Sequence, residues 1–181
     1  EVENIKVAFG DKVIINDFST KILRGDKIGL IGTNGIGKTT LLKTILGEIT
    51  PVAGKIKLGS KLEVAYFDQL RQQLDDDQTI QEVIGQGQDY IFINGARKHI
   101  ATYLEEFLFD PARFRSPVGS LSGGERNRLL LARLFSQPAN VLVLDEPTND
   151  LDMDTLELLE ELLANFPGTV FLVSHDREFL D

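Results

Sequence analysis

The chain has 181 residues, enough for one sizeable domain or for one domain with a small inserted lobe, and its 42% hydrophobic and 26% charged residues suit a soluble globular fold. No apolar run approaches the ~20 residues that span a bilayer, no signal peptide is expected, and the absence of cysteine excludes disulfides and thiolate metal sites, so a cytoplasmic setting is the natural expectation. A net charge of −9 argues against coating nucleic acid through a general basic surface and leaves only local basic patches for such a role.

Residues 3–9 alternate, with Ile5, Val7 and Phe9 on one side, which predicts a half-buried strand ending at a Gly10-Asp11 turn. A second run over 18–23 ends at Arg24-Gly25-Asp26 and feeds a buried strand over 28–31, an apolar run broken only by Gly29. Gly32-Thr33-Asn34-Gly35-Ile36-Gly37-Lys38-Thr39 then reads G-x-x-x-x-G-K-T. Residues 40–46 follow with Leu41, Leu42, Ile45 and Leu46 at helical spacing, and Gly47 is a stop signal. Strand, glycine loop and helix are the context in which this pattern means phosphate binding. The glycines let the backbone curl its N–H groups around a polyphosphate, and the helix aims its positive end at the same anion. Lys38 can reach the terminal phosphates as a point charge, and the Thr39 hydroxyl can ligate Mg²⁺. A glycine-rich turn with a surface lysine is the bland alternative, which the flanking strand and helix disfavour.

Pro51 and Gly54 mark a loop, after which residues 55–58 and 62–67 read as a strand pair joined at Gly59-Ser60 and running into Asp68-Gln69. On its own, a glutamine at a strand end is a solvated loop residue. Beyond residue 70 the character changes. The run Asp75-Asp76-Asp77, expected to be solvated and inert, precedes Thr79, an N-cap for a short helix through Ile84. Residues 90–93 with Asn94-Gly95 suggest a small extended turn. Residues 99–109 carry Ile100, Tyr103, Leu104, Phe107 and Leu108 at helical spacing, a core face more than a ligand box. The region 71–120 therefore reads as a mainly helical lobe inserted into an α/β core formed by residues 1–70 and 121–181.

Leu121-Ser122-Gly123-Gly124-Glu125 precedes a helix over 126–135. Ser122 is a natural N-cap, and the glycines leave N–H groups exposed at the helix start, a second anion site that physics alone weighs evenly against a capped helix with no ligand. Residues 141–144 form an apolar strand ending in Asp145-Glu146, at the strand end where α/β sheets place ligands. Asp145 can hold Mg²⁺, usually through water, and Glu146 can orient and deprotonate an attacking water. Asn149-Asp150-Leu151-Asp152 is a tight polar turn, and residues 155–166 form a leucine-rich acidic helix ended by Pro167-Gly168. A buried strand over 169–173 closes in Ser174-His175-Asp176. His175 thus falls at a strand end as Asp145-Glu146 does, a place from which it can serve a γ-phosphate; His99 has no such context.

The ordered set GTNGIGKT, Gln69, LSGGE, VLVLDEP, NDLD and SHD resembles an ABC-type ATPase cassette over essentially the whole chain. The resemblance implies a P-loop NTPase fold of the α/β class, with a mainly parallel core sheet, an N-terminal antiparallel β-lobe and an inserted helical subdomain. It further implies that ATP and Mg²⁺ are bound. Phe9, 29 residues before Lys38, would stack on adenine. Gly32, Thr33, Asn34, Gly35, Ile36, Gly37, Lys38 and Thr39, with Thr40 behind them, would cradle the phosphates. Thr39, Gln69 and Asp145 would serve the metal, with Gln69 also sensing the attacking water. Glu146 would be the general base and His175 the γ-phosphate contact. Ser122, Gly123, Gly124 and Glu125 would cap the ATP of a second cassette, so that two cassettes sandwich two nucleotides, with Asp152 in a loop crossing that interface.

Glu125 where transporter cassettes usually have Gln, together with DEPTNDLD and SHDREFLD, resembles the ABC-F branch, whose members carry two tandem cassettes and no membrane domain. LSGGERNRLLLARLF and TLELLEELL resemble the second cassette of its Uup group. The branch is associated with the ribosome and translation, and the Uup group also with branched DNA through a C-terminal segment. The second cassette is then expected in the same full-length chain or in a second copy of this one. The chain, opening on Glu1 and stopping after Asp181, is expected to be cut from a longer protein, with the C-terminal end of the cassette missing. The main alternative is the nucleotide-binding subunit of an ABC transporter. A DNA-repair ATPase with a long coiled coil is disfavoured by the 82 residues between Lys38 and Leu121. A cassette that only binds is disfavoured by Lys38, Asp145, Glu146 and His175.

Overall fold

The computed structural model describes residues 1–32, 37–147 and 151–174. Strand β1 (Val2–Phe9) turns at Gly10-Asp11 into the antiparallel strand β2 (Lys12–Thr20). The sequence reading placed this second strand at 18–23. Its alternation is hidden because the ladder is bulged: register shifts interrupt the pairing, and Asn4 and Asp17 both adopt positive φ, 46° and 54°. Strand β3 (Lys27–Ile31) starts a second sheet, and α1 (Lys38–Ile45) returns the chain to β4 (Ala53–Ile56). β4 pairs antiparallel with β1, giving the order β2-β1-β4. β5 (Val64–Tyr66) joins the second sheet instead, so the strand pair expected over 55–58 and 62–67 does not form. Gly54 explains how β4 lies so close to β1. Its φ is 88°, and a Cβ there would meet the carbonyl oxygens of Glu3 and Asn4.

The next stretch is the inserted lobe. It begins with α2 (Phe67–Gln73) and α3 (Ile80–Gly85). α3 opens with a reciprocal capping box: the Thr79 hydroxyl accepts from the Glu82 N–H at 3.2 Å, and the Glu82 carboxylate accepts from the Thr79 N–H at 3.0 Å. β6 (Tyr90–Ile93) and β7 (Ala96–His99) form a hairpin where only a small turn was expected. Asn94 and Gly95 make its two-residue loop with φ of 52° and 80°, the positive pair a type I′ turn requires. His99 ends β7 and caps α4 (Ile100–Glu106), its Nδ1 accepting from the Ala101 N–H at 3.0 Å. The aspartate run is not inert, since Asp76 pairs with Arg126 at 2.7 Å and the Asp75 carboxylate accepts from the Asp77 N–H. The lobe closes on α5 (Gly123–Phe135), and the hydroxyl of Tyr103 in α4 donates to the Ala132 carbonyl inside it at 2.6 Å.

β8 (Val141–Asp145), α6 (Met153–Asn165) and β9 (Thr169–Ser174) complete a parallel sheet ordered β3-β9-β8-β5. Both faces of its centre are covered. Leu142, Leu144, Val170 and Leu172 join a cluster with Leu129, Leu130 and Leu159 from α5 and α6, while Val141, Val143, Phe171 and Val173 join Val2, Ile5, Leu42 and Ile45 on the other face. Two covered faces are why β8 and β9 read as unbroken apolar runs. β3 departs from the expected buried strand. Among the described residues it pairs on one side only, with β9, and Ile31 is 42% exposed.

The bulged contact of β4 with β1 makes Gly54→Ala a sharp test of this lobe. It should cost roughly 2 kcal/mol, from the left-handed φ and from the two carbonyls it would displace. Urea denaturation checks this; a stability unchanged from wild type would mean the strands need not approach so closely.

Candidate functional site

Three strand ends and one helix start build the site. α1 begins directly after Gly37, whose φ is 98° and which supplies no side-chain cap; no acidic residue stands in the first turn. The first N–H groups of the helix are therefore left for an anion. The Gly37 position is also a close approach, since a Cβ there would lie 2.7 Å from a methyl of Ile14 on β2. The β-lobe hairpin is thus pressed against the loop. Phe9, at the tip of the same hairpin, is 56% exposed, which leaves its ring open to a stacking partner.

At the carboxyl ends of the sheet, the Gly32 N–H donates to the Ser174 carbonyl at 3.3 Å, and the Lys38 ammonium donates to the carbonyls of Gly32 and Ser174. Lys38, Thr39, Thr40, Gly37 and Ile14 form one side of a cleft of about 250 Å³, and Asp145, Glu146 and Val173 form the other. Two roomier hollows lie elsewhere, one under the β-lobe beside Ile22 and Phe171 and one between the β6–β7 hairpin and α6. Neither combines a helix N-terminus, a lysine and a carboxylate pair, so the donor chemistry selects the smaller cleft.

The electrostatics of the cleft centre on Asp145. Burial pushes its carboxyl above the usual range, the charges of Asp68 and Glu146 push the same way, and Lys38 and Arg71 oppose them. Glu146 follows in a left-handed conformation, φ 47°, with its N–H donating to the Val173 carbonyl at 2.8 Å. The backbone leaves the sheet at that residue, which separates the two adjacent acids. A hydroxyl and a carboxylate lining one cleft amid surplus negative charge suit a hard cation that takes its remaining ligands from phosphate and water. Among the described residues no group of three or more His, Cys, Asp or Glu is arranged to hold a metal by itself.

Gln69 does not line this cleft. β5 ends at Tyr66, and Gln69 stands exposed in the first turn of α2. Its neighbours Asp68 and Arg71 add their charges at Asp145 to those of Glu146 and Lys38, and neither was singled out from sequence. The available signal was that β5 and β8 both end at the ligand edge. Ile14 was missed for the reason that hid β2. Thr33, Asn34, Gly35, Ile36 and His175 lie outside the described residues, as do Asn149 and Asp150.

The second candidate anion site lies at the start of α5. The Ser122 hydroxyl accepts from the Glu125 N–H at 3.2 Å, and the Glu125 carboxylate accepts from the Ser122 N–H at 3.1 Å. The Ser122 N–H holds the Glu125 carboxyl below its usual range, with burial opposing and Arg113, 3.3 Å away, assisting. Because the hydroxyl oxygen accepts this bond, its proton remains available to a phosphate oxygen. Ser122 and Gly123 are exposed, and no α5 residue lines the cleft at Lys38. Asp152, expected in an interface loop, caps α6 by accepting from the Thr155 N–H at 2.8 Å.

A glycine loop between a parallel strand and a helix, with an acid pair ending the sheet's central strand, defines a P-loop nucleotide-binding cassette. The family model described as ABC transporter matches residues 15–149, and the chain belongs to that family as one of its ATPase cassettes. It is 56% identical over all 181 residues to the ATP-binding protein Uup of Escherichia coli K12, covering 28% of that protein. It is 44% identical over 181 residues to the energy-dependent translational throttle protein EttA of Mycobacterium tuberculosis H37Rv, covering 32% of it. The chain thus spans about three-tenths of the length of these curated relatives. The structure of cbiO1 from Clostridium perfringens, part of the ABC transporter complex cbiONQ, aligns with a TM-score of 0.70 at 23% identity, over 97% of this chain and 77% of that one. That likeness shows the fold: the parallel core, antiparallel β-lobe and helical insertion expected from sequence. The identity to Uup bears out the resemblance to that group.

The close packing of Ile14 on the loop gives a test. Gly37→Ala should weaken ATP binding about tenfold or more, because the substitution strains φ and collides with Ile14. Adding Ile14→Ala should recover part of the loss by removing the collision alone. Calorimetric titration with ATP reads both, and a Gly37→Ala chain that binds as wild type would show that the loop does not depend on this glycine.

Proposed function

We propose that the chain binds Mg·ATP at the phosphate loop and hydrolyses it when paired with a second cassette, as part of a cytoplasmic protein that acts in translation. The observation that carries the pairing is the separation of the two anion sites. Lys38 and Glu146 share one cleft, whereas the exposed start of α5 lies outside it, which supports its serving a different nucleotide.

In this reading Lys38 exchanges the carbonyls of Gly32 and Ser174 for the terminal phosphates, and the Gly32–Thr40 segment wraps the polyphosphate with N–H groups. Thr39 and Asp145 would hold Mg²⁺, with Gln69 on α2 outside the cleft lining; when bound, the ion would neutralise charge on the phosphate oxygens. Phe9 stacks on adenine. Glu146 accepts a proton from water as the water oxygen attacks the γ-phosphorus, and the bond to the bridging oxygen breaks with its electron pair leaving on ADP. His175 contacts the γ-phosphate. Ser122, Gly123, Gly124 and Glu125 supply the cap that the partner's nucleotide needs. The translation reading is supported by the 44% identity to a protein named a translational throttle. No helix among the described residues is long and apolar enough to cross a membrane.

Glu146→Gln should leave ATP affinity within about twofold and lower turnover by roughly 10²-fold or more, since the amide keeps the shape but cannot take the proton. A phosphate-release assay on the full-length protein checks this; turnover at the wild-type rate would remove Glu146 as the base. The same variant, changed likewise in its other cassette, should migrate with ribosomes on a sucrose gradient of lysate only when ATP is present. A profile confined to free protein would sink the translation reading and make branched DNA the next ligand to test.

A further inference from the structure

The β6–β7 hairpin presents a face that the ATP site does not use. Tyr90 stands opposite His99 and Phe92 opposite Arg97, and all four side chains are exposed. Ile91 and Ile93 turn inward onto the main core, and Lys98, from the same inward set, pairs with Glu106 at 2.9 Å. On the outer face the Arg97 guanidinium lies 3.7 Å over the Tyr90 ring, and His99 meets that ring edge-on at 5.0 Å. Cross-strand packing of this kind accounts for three of the four side chains. It does not account for Phe92, which is 70% exposed and makes no ring contact with the other three. The four residues carry no carboxylate, in a chain whose net charge is −9.

We propose that this face binds unpaired RNA. Tyr90 and Phe92 are two residues apart on one strand face, so their rings rise roughly 7 Å from one to the next, about the reach of one extended nucleotide. One base stacks on Phe92 and the next on the outer plane of the Arg97 guanidinium that Tyr90 supports, with Arg97 supplying the positive charge the phosphates require. The choice of RNA rests on the translation reading above. A hydrophobic protein segment is the rival occupant, because Phe92 also stands at the lip of the hollow between the hairpin and α6.

Fluorescence anisotropy of a labelled single-stranded oligouridylate, titrated at low salt with the full-length protein, tests the proposal. Phe92→Leu keeps an apolar side chain but removes the stacking face, and should weaken RNA binding about fivefold or more. Phe92→Tyr should restore it. ATP turnover should not change, since no hairpin residue lines the phosphate-loop cleft. No measurable RNA binding by wild type, or Phe92→Leu binding as wild type, overturns the proposal. So does a loss in Phe92→Ala that leucine rescues, which is the signature of an apolar protein contact. Tighter binding of an oligothymidylate overturns the assignment to RNA. Ribosome migration tells the two readings apart: its absence with RNA binding intact sinks the translation reading alone, whereas ribosome migration with RNA affinity insensitive to Phe92→Leu sinks the hairpin surface alone.

Discussion

The parallel register of β3, β9 and β8 is the constraint on which the site depends. Parallel strands end on the same edge, and here the register sets Ile31 beside Ser174 and Asp145 beside Val173. Three chain segments far apart in sequence therefore expose their last carbonyls, a glycine loop and an acid pair within one cleft. Lys38 closes the arrangement by donating to carbonyls from two of those ends, so its ammonium is held at the sheet edge where it also favours the ionised form of Asp145. A lysine satisfied by backbone carbonyls is placed to change partners, because the carbonyl of the fully buried Ser174 that it leaves still accepts from the Gly32 N–H.

That edge is only as rigid as the sheet behind it. β8 and β9 alternate their side chains between two clusters, and each fully buried Val, Leu or Phe contributes about 1.5–3 kcal/mol relative to exposure. The same large cluster contains Leu129, Leu130, Leu131 and Leu134 of α5, all fully buried. α5 is thus anchored along its length by the core, while its first turn, capped by Ser122 and Glu125, reaches the surface. The lobe and the sheet share one apolar mass, and this fixes where the first turn of α5 points.

The sequence was most legible where one physical signal dominated. β8 and β9 stood out because two covered faces leave no polar positions, and α3 and α5 because Thr79 and Ser122 are natural N-caps, each completed in the structure by a glutamate three residues on. The failures share a cause in tertiary pairing. β2 carries bulges that break its alternation, and β4 and β5 are short runs either side of a Gly-Ser turn that pair with different sheets. β3 looks buried from its Ile-Gly-Leu-Ile run, yet it has a described neighbour only in β9. Of the site, Lys38, Thr39, Asp145 and Glu146 were legible from motif spacing. The influence of Asp68 and Arg71 was not, because it arises only when β5 is laid beside β8.

Glu146 shows how the backbone divides labour between neighbours. Side-chain alternation along a strand would already part Asp145 from Glu146, but the left-handed conformation at Glu146 goes further and turns the chain out of the sheet while its N–H still bonds Val173. For a residue with a Cβ this geometry costs about 1–2 kcal/mol, and the four buried residues of β8 before it supply the offset. Asp145 is left in the partly desolvated place where a cation is favoured, and Glu146 in a distinct position at the mouth of the same cleft. The donors at α5 lie outside that cleft altogether. The fold therefore groups Lys38, Asp145 and Glu146 in one cleft and leaves the Ser122 cap of α5 outside it.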